Sequence, residues 1–119
     1  MLFDTTQLAL ERAISGASQR HAALAANLAN VNTPGYQRVD VDFHAALQGA
    51  LSSDDARGAV ERASFAPERD AAAVNRADGN GVDADAESAK IAANALEQQA
   101  AVQVAHTRIA ILKSAMGVQ

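Results

Sequence analysis

Cysteine and tryptophan are absent from this chain, and it has one tyrosine, three phenylalanines and two prolines. Without cysteine no disulfide and no thiolate metal site can form, which leaves the redox compartment open. Bulky apolar residues are also scarce. Val, Ile, Leu, Met and Phe together number 27 of 119, so the 49% hydrophobic fraction is mostly alanine. Alanine makes good helix and lets helices approach closely, but each one buries little area, and stabilisation scales with buried area. The length suits one modest domain, yet the expected core is thin, and packing completed against other subunits is the natural reading. No apolar run approaches the length of a membrane-spanning helix, so an integral membrane protein is not expected. The opening stretch MLFDTTQLALERAIS carries Asp4 and Glu11 and lacks both a basic start and a continuous apolar run, so a cleaved secretory signal is not expected either. A net charge of −4 argues against the basic face of a nucleic-acid binder.

The charge is unevenly placed. Acids and bases balance within residues 1–33 and again within 85–119, so the whole surplus lies in 34–84. Neutral ends and an acidic middle read as packed ends and a solvated centre.

Both ends carry heptad seams. Leu10, Ile14, Ala17, His21, Leu24, Leu28 and Val31 alternate steps of four and three, the stripe of a coiled coil. Asp4 is placed to cap that helix, with Gln7 in capping-box position. Ile91, Ala95, Gln98, Val102, Ala105, Ile109, Leu112 and Met116 form a second seam, flanked by Val104, Ile111 and Val118 at seven-residue spacing. Asp83 or Asp85 can cap its start, acids occupy its first turn and Lys113 its end, as the helix dipole favours.

The chain between is different. Residues 39–51 predict a short helix started by Asp42 and closed near Gly49, and 52–58 read as loop. Strand character is expected around 37–41 and 72–76, and Asp78-Gly79-Asn80-Gly81 is a turn cluster. The fold class is therefore all-α. Two long terminal helices, 1–33 and 83–119, form an antiparallel coiled-coil-like pair. A mostly irregular middle segment, 34–82, with a short helix and short strands, joins them.

The first helix ends at NLANVNTPGY, residues 27–36. Asn32 suits the left-handed backbone that closes helices. Pro34 drives Thr33 out of the α region, and Thr33-Pro34-Gly35-Tyr36 fits a type II turn with Gly at its positive-φ position. Any helical protein could use such a stop.

The wider stretch ALAANLANVNTPGY (23–36) resembles the N-terminal signature of the flagellar rod and hook proteins, approximately A-x-N-[LI]-A-N-x-x-T-P-G-[YF]. Ala25, Asn27, Leu28, Ala29, Asn30, Thr33, Pro34, Gly35 and Tyr36 all fall on it. Asp78, Gly79, Asn80, Val82 and Asp83 match a D-G-N-x-V-D run typical of one of the proximal rod members and usually lacking in its nearest rival. The resemblance implies a structural subunit of the flagellar basal-body rod, part of the motor drive shaft, with no enzymatic activity and no cofactor. It implies export through the flagellar type III apparatus without a cleaved signal, followed by helical assembly with other rod subunits. Further implied partners are the rod–MS-ring junction protein and the MS ring. The motif would end the inner helix and redirect the chain outward, with Asn27, Asn30 and Asn32 hydrogen-bonding in a packed turn. Leu10, Ile14, Ala17, Leu24, Leu28, Val31, Ile91, Val102, Ile109, Leu112 and Met116 would form the assembly seam.

Other chemistry finds little support. His21 and His106 lie in or beside the seams, where packing roles fit, and with His44 they lack the spacing of a metal or catalytic site. Asp78–Asp83 lacks the twelfth-position Glu of a calcium loop and reads as a turn leading to a cap. A small cytoplasmic α-hairpin adaptor or chaperone binding a partner helix would use the same seams, but has no need of the Thr-Pro-Gly-Tyr signature.

Overall fold

The computed structural model describes residues 4–118. The first three residues of the opening stretch and Gln119 lie outside it. The elements are α1 (Thr5–Ala29), β1 (Val39–Asp40), α2 (Phe43–Leu51), α3 (Ala56–Arg62), β2 (Glu68–Arg69) and α4 (Ala84–Ala115). The molecule is elongated, 62 × 33 × 14 Å, because α4 alone runs 32 residues.

The long helices start where their caps predict. Asp4 caps α1 by accepting from the Gln7 backbone N–H at 2.8 Å, while the buried Gln7 Oε1 finds no partner. The N-cap is present, and the side-chain half of the capping box is not made. Asp83 caps α4 through the N–H groups of Asp85 and Ala86. The two helices pack antiparallel, so each step up α1 is a step down α4. Arg108 donates to Asp4 at 2.8 and 3.0 Å, Gln98 to the Ile14 carbonyl at 3.5 Å and Asn94 to the Ala17 carbonyl at 2.8 Å.

The middle segment folds onto α1. Val41, Phe43, Leu47 and Val60 bury against Ala17 and Ala23, with Leu8, Ala9, Ala13 and Phe65 around them. Gly16 lets α2 approach closely, since a Cβ there would stand 2.6 Å from the Phe43 ring. Phe43 and Phe65 meet edge to face at 6.2 Å, and β1 pairs antiparallel with β2, Val39 opposite Arg69.

Six local expectations are corrected. α1 stops at Ala29, so Val31 lies beyond the helix. Its terminus is Asn30 rather than Asn32, and no non-glycine described residue has positive φ. α2 runs past Gly49 to a cap at Ser52. Part of the expected 52–58 loop is α3, nucleated by Asp55 accepting from Gly58 N–H at 3.0 Å. The second strand is 68–69 and not 72–76, because register with Val39 and Asp40 selects it. His21, expected in the seam, is exposed.

Candidate functional site: a joint between two sequence motifs

An ending helix leaves carbonyls without partners. Here α1 closes with Asn30 N–H donating to the Ala26 and Asn27 carbonyls, and the Asn30 side-chain amide folding back to the Ala26 carbonyl at 2.8 Å. The type II turn follows. Tyr36 N–H donates to the Thr33 carbonyl at 3.2 Å, and Gly35 sits at φ +75.

The remaining carbonyls are met by the segment just before α4. The buried Asn80 side chain donates its amide to the carbonyls of Asn30, Val31 and Thr33 at 2.9, 3.0 and 2.7 Å. Its own carbonyl accepts from Val82 N–H at 2.8 Å, and Asp78 accepts from Asn80 N–H at 3.0 Å. Arg76 adds a bond to the Val31 carbonyl at 2.7 Å. The two backbones also lace together. Gly35 N–H donates to the Asp78 carbonyl at 3.0 Å and Gly81 N–H to the Tyr36 carbonyl at 2.9 Å. Two positive-φ glycines face each other here, and a Cβ on Gly79 would lie 3.5 Å from Gly35 Cα. NTPGY and DGNGVD, some 45 residues apart, thus form one interlocked joint.

Beside the joint runs a buried polar chain. Asn27, fully buried, accepts from Val39 N–H at 2.9 Å and donates to the Val39 carbonyl at 2.6 Å, so its side chain pairs with β1 as a strand backbone would. Its carbonyl also accepts from the Tyr36 hydroxyl at 3.2 Å, and its amide donates to Glu87 at 2.7 Å. Glu87 takes two bonds from Arg38, at 3.0 and 3.1 Å. Arg38 reaches on to Asp70 and Asp40, and Arg20 holds Asp40 at 2.8 Å. Burial works against the charge on Arg38, but hydrogen bonds to Glu87 and Asp70 outweigh it and hold its pKa above the usual arginine value. Asp40 is likewise opposed by burial and held below the usual carboxylate range by Arg20. The Arg38 hydrogen bond lowers Asp70, and the Asn80 N–H lowers Asp78.

Of the motif residues, the structure brings Asn27, Asn30, Thr33, Gly35 and Tyr36 into these contacts. Ala29 and Pro34 are exposed, Leu28 is half-buried, and Asn32 faces solvent. Of the seam, Ala17 and Leu24 are buried; Leu10, Ile14, Val31, Ile91, Val102 and Leu112 are half-buried; Ile109 and Met116 are exposed. The inner face of α4 is largely polar, with Glu87, Asn94, Arg108 and the seam residue Gln98 bonding across it and Ala105 buried on it. Arg38, Glu87, Asn94 and Arg76 were not foreseen, because a hydrophobic-period reading passes over buried polar side chains. Asn80 was read only as part of a turn leading to a cap, and the Asp-Gly-Asn run was the signal that could have singled it out. His44 contacts Glu97, and His106 is exposed. Among the described residues no cluster of His, Asp or Glu could hold a metal ion, and no helix is long and apolar enough to cross a membrane.

The sequence profile of the family described as "Flagella basal body rod protein" matches residues 8–37, which are α1 and the turn that closes it. The chain is 30% identical over 118 residues to the flagellar basal body rod protein FlgB of Aeromonas hydrophila, covering 90% of this chain and 89% of that one. It is 31% identical to the protein of that name from Yersinia ruckeri, over 75% of this chain and 77% of the relative. The Salmonella typhimurium protein is similar at 31% identity, with 79% and 80% covered.

Proposed function

Because the chain belongs to the flagellar basal body rod protein family, and is a structural subunit of that rod with other rod components as partners, we propose that it occupies the proximal rod and assembles there through its terminal helices. The observation that carries this reading is the apolar surface of α4 and of the residues that follow it. Leu96, Val104, Ile109, Ile111, Met116 and Val118 are 41–68% exposed, and residues 109–118 run past the Asp4–Arg108 contact. Apolar stripes left open at this scale mark surfaces that other proteins cover. The half-buried seam residues Leu10, Ile14, Leu28, Val31, Ile91, Val102 and Leu112 would complete the interface when neighbouring subunits arrive.

The joint is assigned a geometric role. It ends the inner helix, turns the chain outward and fastens the return strand of chain to the same point. Finer partners follow from this place in the rod: the rod–MS-ring junction protein, the MS ring, and the flagellar type III export apparatus that delivers the subunit without a cleaved signal. The role needs no catalytic group, no cofactor, no nucleic acid and no membrane-spanning segment. A cytoplasmic adaptor hairpin is not favoured by any contact described above.

The test is Val104→Asp with Ile111→Asp. Both positions are exposed, so circular dichroism of the purified chain should match the parent. Complementation of a rod-deficient strain should fail, with no basal-body rods in micrographs. Normal rods from this variant would overturn the assignment of α4 as the assembly face.

A further inference from the structure

Of the six asparagines in the chain, Asn80 alone precedes a glycine. In that order the following backbone nitrogen, with no side chain beside it, can reach the asparagine side-chain carbon. Asn80 is also the residue on which the joint depends, since its amide answers three carbonyls at the end of α1. A carboxylate there would be nearly the same shape but would only accept hydrogen bonds. It would face three carbonyl oxygens at the negative end of a helix dipole.

We propose that Asn80–Gly81 is a site of spontaneous deamidation, shielded while the joint is closed, and that a chain modified before closure can no longer close it. In the reaction the Gly81 nitrogen gives up its proton to solvent and attacks Asn80 Cγ. The new N–C bond closes a five-membered succinimide, and the side-chain nitrogen takes a proton from solvent as its bond to Cγ breaks and leaves as ammonia. One water then opens the ring at either carbonyl. The product is aspartate at position 80, or isoaspartate, whose backbone is one methylene longer. No oxidant, reductant or enzyme is required.

The closed joint ties down both reacting groups. Gly81 N–H is engaged by the Tyr36 carbonyl at 2.9 Å. The Asn80 amide holds three acceptors, and its Oδ1 accepts from Val82 N–H at 2.8 Å. Asn80 is 0% exposed and Gly81 is buried, so solvent reaches neither the nucleophile nor the ring-opening position. Every one of these partners belongs to the folded joint. An unfolded chain has none of them, so the reaction runs during whatever time the subunit spends unfolded.

The experiment incubates the full chain in native buffer and in urea at mildly alkaline pH, beside a free peptide of residues 76–85. Conversion at each asparagine is read by peptide mapping and mass spectrometry. Asn80 should convert at the peptide's rate in urea and at least about tenfold more slowly in native buffer, where reaction waits on local opening. Gly81→Ala should slow the urea reaction. Chains deamidated in urea and then returned to native buffer should regain less helix than untreated chains, with residues 30–36 newly open to protease. Asn80→Asp, which carries the aspartate product from the start, should behave the same way. A native rate equal to the peptide's would overturn the shielding. Full recovery of helix and protease resistance by both the deamidated chain and Asn80→Asp would overturn the consequence.

Discussion

Arg38 grips both carboxylate oxygens of Glu87, at 3.0 and 3.1 Å, and the two residues are only 4% and 1% exposed. One stands just before β1 and the other in the first turn of α4, so the pair fastens the middle segment to the helix pair. A buried ion pair offsets the desolvation of its charges only while both partners remain. Glu87→Leu should therefore cost up to about 3–5 kcal/mol in urea unfolding, since the buried guanidinium is left with only Asp70 and Asp40 and the Asn27 amide with only the Val39 carbonyl. Adding Arg38→Met should recover most of that loss. A double variant no more stable than the single one would mean that the pair stabilises in its own right.

Acid should loosen the same region. Asp40 and Asp70 both lie below the ordinary value of 3.8, held there by Arg20 and Arg38. A carboxylate with a depressed folded pKa contributes stability that is complete above its unfolded pKa and is lost as pH falls through the folded one. The melting temperature should be level from neutral pH down to about pH 5 and drop below about pH 4. In Asp40→Asn with Asp70→Asn the drop should be shallower. An unchanged slope would place the acid sensitivity elsewhere.

Two glycines make opposite predictions. A Cβ on Gly16 would lie 2.6 Å from the Phe43 side chain, so Gly16→Ala must push α2 off α1, an overpacking cost of about 1–3 kcal/mol. Gly49 sits inside α2 with nothing within 4 Å of its would-be Cβ, so Gly49→Ala should stabilise by up to about 1 kcal/mol through helix propensity. Thermal melts of the two variants should move in opposite directions, and a shift of the same sign in both would refute the close-approach account.

How far the sequence could be read depends on which force decided each element. The long helices and the caps Asp4, Asp42 and Asp83 were visible because capping is local and heptad spacing is regular. The type II turn was visible for the same reason, as Pro34 and Gly35 restrict their own backbone. α3 was missed because its signal, Asp55 ahead of Gly58, hides in a polar stretch that composition marks as loop. β2 is two residues set by pairing with β1, so nothing local could place it. The inner face of α4 was read in part: Gln98 and the buried Ala105 lie on the expected seam, but elsewhere the contacts fall one position before it. Asn94 and Arg108 bond to α1 where Ala95 and Ile109 continue the apolar period, and only a partner 77 or 104 residues away reveals it.

The joint itself offers the sharpest test of the rod assignment. Gly35 has φ +75, and a Cβ built there would meet nothing within 4 Å. Any defect from a side chain at this position therefore comes from the backbone and not from a clash. Alanine in the left-handed region costs about 1–2 kcal/mol, and asparagine visits that region more readily. Valine, branched at Cβ, is a stronger outlier still. Relief of that strain would rotate the peptide planes on either side of residue 35. Those planes carry the Gly35 N–H bond to Asp78, and the Tyr36 carbonyl that receives Gly81 N–H follows directly after. Losing both would part the two motifs and misdirect the chain as it leaves α1. Complementation of a rod-deficient strain, scored by basal bodies in micrographs, should rank Gly35→Asn above Gly35→Ala, with Gly35→Val building no rods. Should Gly35→Val build normal rods, the turn is not a backbone device. Direction of the chain would then rest on side chains, with the Tyr36 hydroxyl on Asn27 as the contact to remove next.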